Sequence, residues 1–189
     1  MAHPAYRPIM IGILLAILMA ATRFGHFGSA ISLPDASLAV FFLAGFYLSA
    51  RMFPLLLLEA AAVDYLAINM AGVSDWCVTP AYAFLAAAYA VPWLAGRWYA
   101  RWHALTWRSG LLFAATAAIA TVMAFLISNA SFYAFSGYFT EMAALEYTSR
   151  VIRYLTPYLR STMLWLTIAA IVHVLLSLAA QRQALQADA

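Results

Sequence analysis

Six apolar runs, separated by connections that carry most of the charge, decide what this chain can fold into. They cover roughly 8–22, 36–50, 53–71, 80–96, 110–132 and 161–180. A helix that crosses a bilayer needs about 20 mainly apolar residues. Each run approaches that length, the second and fourth once their apolar or aromatic flanks are counted. Six such helices in 189 residues leave no room for a soluble domain. The expectation is an all-α integral membrane protein, one membrane domain over 1–189 with six transmembrane helices.

Composition agrees with that class. The chain is 67% hydrophobic and 9% charged, against about 45–50% and about 25% in soluble domains. All ten basic residues are arginines, and no segment is basic enough to suggest a nucleic-acid partner. The first run begins near Ile9 without a convincing small-residue cleavage site, so it reads as a retained helix. Cytoplasmic connections are enriched in arginine. With the N-terminus inside, Arg7, Arg51, Arg97, Arg101, Arg108 and Arg182 lie on the inner side, and Arg23, Arg150, Arg153 and Arg160 on the outer. The balance favours cytoplasmic N- and C-termini in a multi-pass membrane protein.

Chemistry concentrates in the polar interruption at 72–82, between the third and fourth runs. It holds Asp75, Trp76, the single cysteine Cys77, and Tyr82. Thr79 and Pro80 suit the N-cap and first turn of the fourth helix. Cys77 would then lie just outside a helix N-terminus, where the dipole favours a thiolate. The competing reading is an inert small apolar filler. The acids Glu59 and Asp64 sit in the third run, where an ionised carboxylate costs about 2.5–3.5 kcal/mol at mid-bilayer. Glu59 is read as a packing hydrogen bonder or a pathway group. Asp64, nearer the outer end and followed by Tyr65 and Asn69, is read as a ligand group.

Elsewhere the sequence offers a small-residue stripe, an amphipathic connection and four histidines. Gly12, Ala16 and Ala20 recur at four-residue spacing, which lets another helix approach closely, within this bundle or from a docking partner. The long outer connection 136–160 alternates apolar residues with Glu141, Glu146, Arg150 and Arg153, as in a surface-lying helix. It would rest on the membrane or cover a cavity. The tryptophans and arginines of 93–108 form an inner aromatic and basic belt. His173 reads as a satisfied core residue. His26, His103 and His173 are not expected to pair within one layer, which leaves a haem- or quinone-binding anchor the weakest class. His26 alone shares the outer side with Cys77 as a candidate general base for a thiol enzyme.

Six helices of this size with cytoplasmic termini and a small-residue stripe in the first resemble the S components of energy-coupling factor vitamin transporters. Asp64, Cys77 and Tyr82 are similar in placement to residues of the BtuM-type cobalamin transporters. The resemblance implies uptake of cobalamin across the bacterial inner membrane from the periplasmic side, with Cys77 as axial ligand to cobalt. Asp64 and Tyr82 would line the pocket. Tyr65, Asp75, Trp76, Phe27, Tyr138 and Tyr147 are available as outer polar and aromatic walls, and Arg150 and Arg153 are added from the amphipathic connection. It further implies an ATP-driven module as partner, docked on Gly12, Ala16 and Ala20. A soft thiolate suits a transition metal, and donation from sulfur is expected to loosen cyanide on the opposite face of cyanocobalamin. The chain is thus expected to be a transport protein and not an enzyme. An intramembrane thiol enzyme using Cys77 and an S component for another vitamin are the alternatives.

Overall fold

The apolar runs close into helices whose ends are set by local chemistry. The computed structural model describes residues 6–23, 33–139 and 144–187. Among these the chain is all-helical, without strands. The helices are α1 (Tyr6–Arg23), α2 (Ser37–Tyr47), α3 (Met52–Ala71), α4 (Leu85–Tyr99), α5 (Trp107–Phe135) and α6 (Ala144–Ala187), with a short 3-10 turn at Pro80–Phe84. Three of them, α3, α5 and α6, are long and apolar enough to cross a membrane, consistent with a membrane protein.

At the centre of the bundle stands α2, buried at every position from Ser37 to Gly45. Eleven residues make a helix only about 16 Å long, so α2 serves as the packing axis for the longer helices. It meets α4 most closely. Gly45 and Gly96 face the opposite backbones, and a Cβ on either would overlap the carbonyl of Trp93 or of Phe42. Around this contact Phe41 stacks on Tyr89 with ring centroids 4.4 Å apart, and Phe46 on Tyr99 at 5.7 Å.

Residues 34–36, which lead into α2, are tied to two neighbouring helices. Thr22 Oγ1 accepts from the Ala36 backbone N–H at 3.1 Å, Trp165 Nε1 donates to the Pro34 carbonyl at 2.8 Å, and the Ser161 hydroxyl donates to the Asp35 carbonyl. The start of α2 is thereby fixed beside the C-terminal end of α1 and the middle of α6.

One arrangement differs from the sequence-based expectation, and one open alternative is decided in part. The connection 136–160 is not a separate surface helix, because its helical part continues without a break into the sixth run as α6. Pro157 is the sole helix-breaking residue along that join, and the helix carries it internally. At 44 residues α6 is about 66 Å long, well beyond a ~30 Å hydrocarbon layer. The small-residue stripe also turns partly inward. Gly12 is buried, with Met52 Cε and Leu48 Cδ1 3.6 and 3.8 Å from where a Cβ would stand. That end of the stripe packs within the bundle, and Ala16 and Ala20 are half-buried. The face α1 leaves open is bulky and apolar: Ile9, Met10, Ile13, Leu14 and Ile17.

Candidate binding site

The site is assembled where α1, α3 and α5 end and α4 and α6 begin. Helix α3 stops at Gly72, whose φ of +67° takes the left-handed conformation that glycine accepts without a Cβ penalty. The Val73 N–H returns to the Ala67 carbonyl at 3.2 Å. A tight turn follows, in which the Val78 N–H donates to the Asp75 carbonyl at 2.7 Å. Thr79 then caps the 3-10 turn, its Oγ1 accepting from Ala81 N–H at 3.3 Å. These contacts set Cys77 at the lip of a cavity of about 610 Å³, within the range of small-molecule pockets.

The floor of that cavity is a buried ion pair. The Arg23 guanidinium grips the Asp64 carboxylate with two bonds of 2.6 Å, Nε to Oδ1 and Nη2 to Oδ2. The Tyr82 hydroxyl donates to Asp64 Oδ2 at 2.6 Å. Arg23 Nη1 reaches the Tyr89 hydroxyl at 2.6 Å and Ser37 Oγ at 3.1 Å, and the Ser37 hydroxyl donates to Asp35 Oδ1 at 2.7 Å. A buried carboxylate is tolerated when it is paired and hydrogen-bonded. Asp64 is therefore fully engaged by protein groups and shapes the floor. Arg23, read in the sequence only as an outer charge, is the central residue of this network.

Six of the expected site and wall residues line the cavity together: Asp64, Trp76, Cys77, Tyr82, Tyr147 and Arg150. Tyr138 is not among the lining residues, and three others are also absent. Tyr65 is one residue round the helix from Asp64 and points outward, 66% exposed. Asp75 sits exposed at the turn, and Arg153 is exposed off the stripe of α6 that faces the cavity. That stripe is Tyr147, Arg150, Tyr154, Pro157 and Tyr158, at helical spacing, so the first part of α6 walls the cavity. Arg150 is held at the rim by Glu146 at 3.0 Å and lies over the Phe139 ring at 5.6 Å. Trp76 stacks on Tyr138 at 3.8 Å. His26, Phe27 and Glu141 lie outside the described residues.

Cys77 is a free thiol accessible from the cavity. The expected thiolate is not favoured there. Apolar walls desolvate the thiol and push it up from its ordinary value. The Asp64 carboxylate adds to this, and the Arg23 guanidinium offsets part of it. A raised thiol keeps its proton to higher pH. Alkylation of Cys77 by iodoacetamide is thus expected to go on accelerating as pH rises past about 8.5, the midpoint for a free cysteine. Reaction as fast near neutral pH as above about pH 9 would contradict this environment.

At the opposite end of the bundle the histidines depart from expectation. His103 and His173 do pair, Nε2 to Nε2 at 3.1 Å, because the turn after α4 folds back against the last third of α6. Burial and the neighbouring His173 hold His103 below its ordinary value. Among the described residues lining the Cys77 cavity, none is a histidine.

No protein-family model matches the chain, and no curated protein matches it.

Proposed function

We propose that this chain is a cobalamin transporter of the bacterial inner membrane, with six crossings and both termini cytoplasmic. It takes its substrate from the periplasmic side and holds cobalt through the Cys77 sulfur. The observation that carries the reading is an accessible free thiol at the lip of a large, mostly aromatic and aliphatic cavity. The charges on the cavity floor neutralise one another, Arg23 against Asp64. Such a cavity suits a bulky, weakly charged solute anchored by one strong bond better than an ionic substrate.

Cobalt in a corrin has four equatorial nitrogens and two axial positions. A thiolate in one of them selects corrinoids by a single metal–ligand bond, since soft sulfur donors favour transition metals. The raised thiol does not oppose this, because coordination expels the proton. Binding then tightens as pH rises. Tyr82, pinned to Asp64, and Trp76, stacked on Tyr138, would frame the ring, with Arg150 at the mouth for polar substituents. Energy for uptake would come from an ATP-driven partner, for which Ala16 and Ala20 are the accessible part of the small-residue stripe.

The deciding experiment is the visible absorption spectrum of protein purified from cells supplied with cobalamin, beside Cys77→Ala. Corrin bands shifted from the free vitamin, and returned to the free positions or lost in the variant, are the expected result. Unshifted bands in both would remove Cys77 from cobalt. A colourless protein would end the corrinoid reading in favour of another vitamin or a thiol enzyme. The enzyme reading finds no histidine among the described lining residues, and the lining carboxylates Asp35 and Asp64 already accept from Ser37 and from Arg23 and Tyr82. A thiol pushed up by burial is also a poor nucleophile at neutral pH.

A further inference from the structure

The geometry points to a second site, at the other end of the bundle from Cys77: His103 and His173 form a two-imidazole seat for a divalent first-row ion of the zinc, copper or nickel class. This does not depend on the cobalamin reading. The two Nε2 atoms are 3.1 Å apart. Nitrogens bound to one ion at about 2.0–2.1 Å stand that far apart when the angle between the bonds is roughly 95–102°. The ring centroids are 4.9 Å apart with planes at 79°. That is closer than an end-to-end N–H···N bond would hold them, so the rings lean toward a point beside the line joining them. A haem iron is excluded by the same distance, because nitrogens on opposite sides of one ion would be about 4 Å apart.

Each ring is held from behind by a tyrosine. The Tyr47 hydroxyl meets His173 Nδ1 at 2.7 Å, and the Tyr99 hydroxyl meets His103 Nδ1 at 3.2 Å. Metal-binding histidines characteristically have the second nitrogen hydrogen-bonded in this way, which fixes the ring and directs the first at the ion. The Tyr99 hydroxyl also lies 3.2 Å from the Ser109 carbonyl and 2.9 Å from Ser109 Oγ. In the tautomer in which it donates to Ser109, it accepts from His103 Nδ1–H and leaves His103 Nε2 bare. Without an ion, His173 Nε2–H donates to it and Tyr47 donates to His173 Nδ1. With an ion, the His173 proton moves to Nδ1 and the Tyr47 hydroxyl turns to accept it. Both rings stay neutral, and no proton is released to solvent.

Room for further ligands is present. Both histidines line a cavity of about 310 Å³ with Phe46, Tyr47, Tyr99 and Thr106. Among the described residues no third histidine, cysteine or carboxylate joins them. The remaining coordination positions therefore fall to water or a small anion, which makes the ion exchangeable.

The test uses the full chain in detergent, its affinity tag removed, in a Cys77→Ala background so that the thiol contributes nothing. Zinc is titrated in competition with a chromophoric chelator, and copper(II) is followed by electron paramagnetic resonance. One ion per chain and hyperfine splitting from two imidazole nitrogens are expected. His103→Gln with His173→Gln should weaken zinc at least ~100-fold, and Tyr47→Phe, which keeps the ring packing, about 10-fold. Zinc bound equally by the double variant, no zinc bound by the parent, or copper showing fewer than two nitrogens would each overturn the site. The copper spectrum is read on the unaltered histidine pair, so its outcome does not depend on the variants folding. Cobalamin binding is measured separately in protein that retains Cys77, and either result can fail without the other.

Discussion

Asp64→Ala is expected to cost about 3–5 kcal/mol of stability, because it leaves the Arg23 guanidinium buried without its counter-ion. Arg23 and Asp64 are 6% and 5% exposed, so water cannot replace the lost partner. Tyr82 loses its acceptor in the same change, since its hydroxyl donates to Asp64 Oδ2. Arg23→Met should be similarly costly, because it strands the carboxylate. The double variant Arg23→Met/Asp64→Leu removes both charges and is expected to be more stable than either single change, since an apolar pair of similar volume offsets the lost ion pair. Thermal or denaturant unfolding in detergent measures all three. A double variant less stable than both single variants would mean that the two residues do not act as a pair, contrary to their bidentate geometry. Asp64→Ala should also lower the Cys77 thiol, by removing a carboxylate that raises it while leaving the arginine that lowers it. Faster alkylation near neutral pH in that variant would report the electrostatic link from floor to lip.

This network shows how far the sequence can be read. An acid inside an apolar run signals a partner, and Asp64 carried that signal. Its partner was legible in type but not in position, since Arg23 and Asp64 are 41 residues apart and only the helix packing brings them together. Trp76, Cys77 and Tyr82 were legible because they share one polar interruption, and local turn chemistry alone places them. The cavity-facing stripe of α6 was visible as amphipathicity, which gives a face but not what it faces. Its continuity with the last run is not legible, because a proline such as Pro157 and charged residues between two apolar stretches also mark the end of a helix. The histidine pair was missed for the same reason as Arg23: 70 residues separate its members, and no local spacing predicts the meeting of the turn after α4 with α6.

Gly45→Leu is expected to lose the folded bundle, and Gly45→Ala or Gly96→Ala to cost about 3 kcal/mol or more, at the upper end of overpacking penalties. The obstacle in each case is backbone. A Cβ on Gly45 would overlap the Trp93 carbonyl, and one on Gly96 the Phe42 carbonyl. A flexible side chain can rotate away from a new methyl group, but a helix carbonyl moves only with its helix. Nor can α2 yield, because it is buried at every position from Ser37 to Gly45. Separating α2 from α4 would also open the Phe41–Tyr89 stack, and Tyr89 holds Arg23 in the cavity floor. The damage should therefore reach the Cys77 site, so loss of ligand binding is expected to accompany loss of stability. Two other glycines serve as controls. Gly12→Ala meets only the ends of the Met52 and Leu48 side chains at 3.6 and 3.8 Å, so it should be tolerated. Gly110→Ala has no heavy atom within 4 Å and should stabilise α5 by roughly 0.5–1 kcal/mol. Equal unfolding temperatures for Gly96→Ala and Gly110→Ala would show that α2 and α4 are not in backbone contact, and that some other packing holds the cavity open.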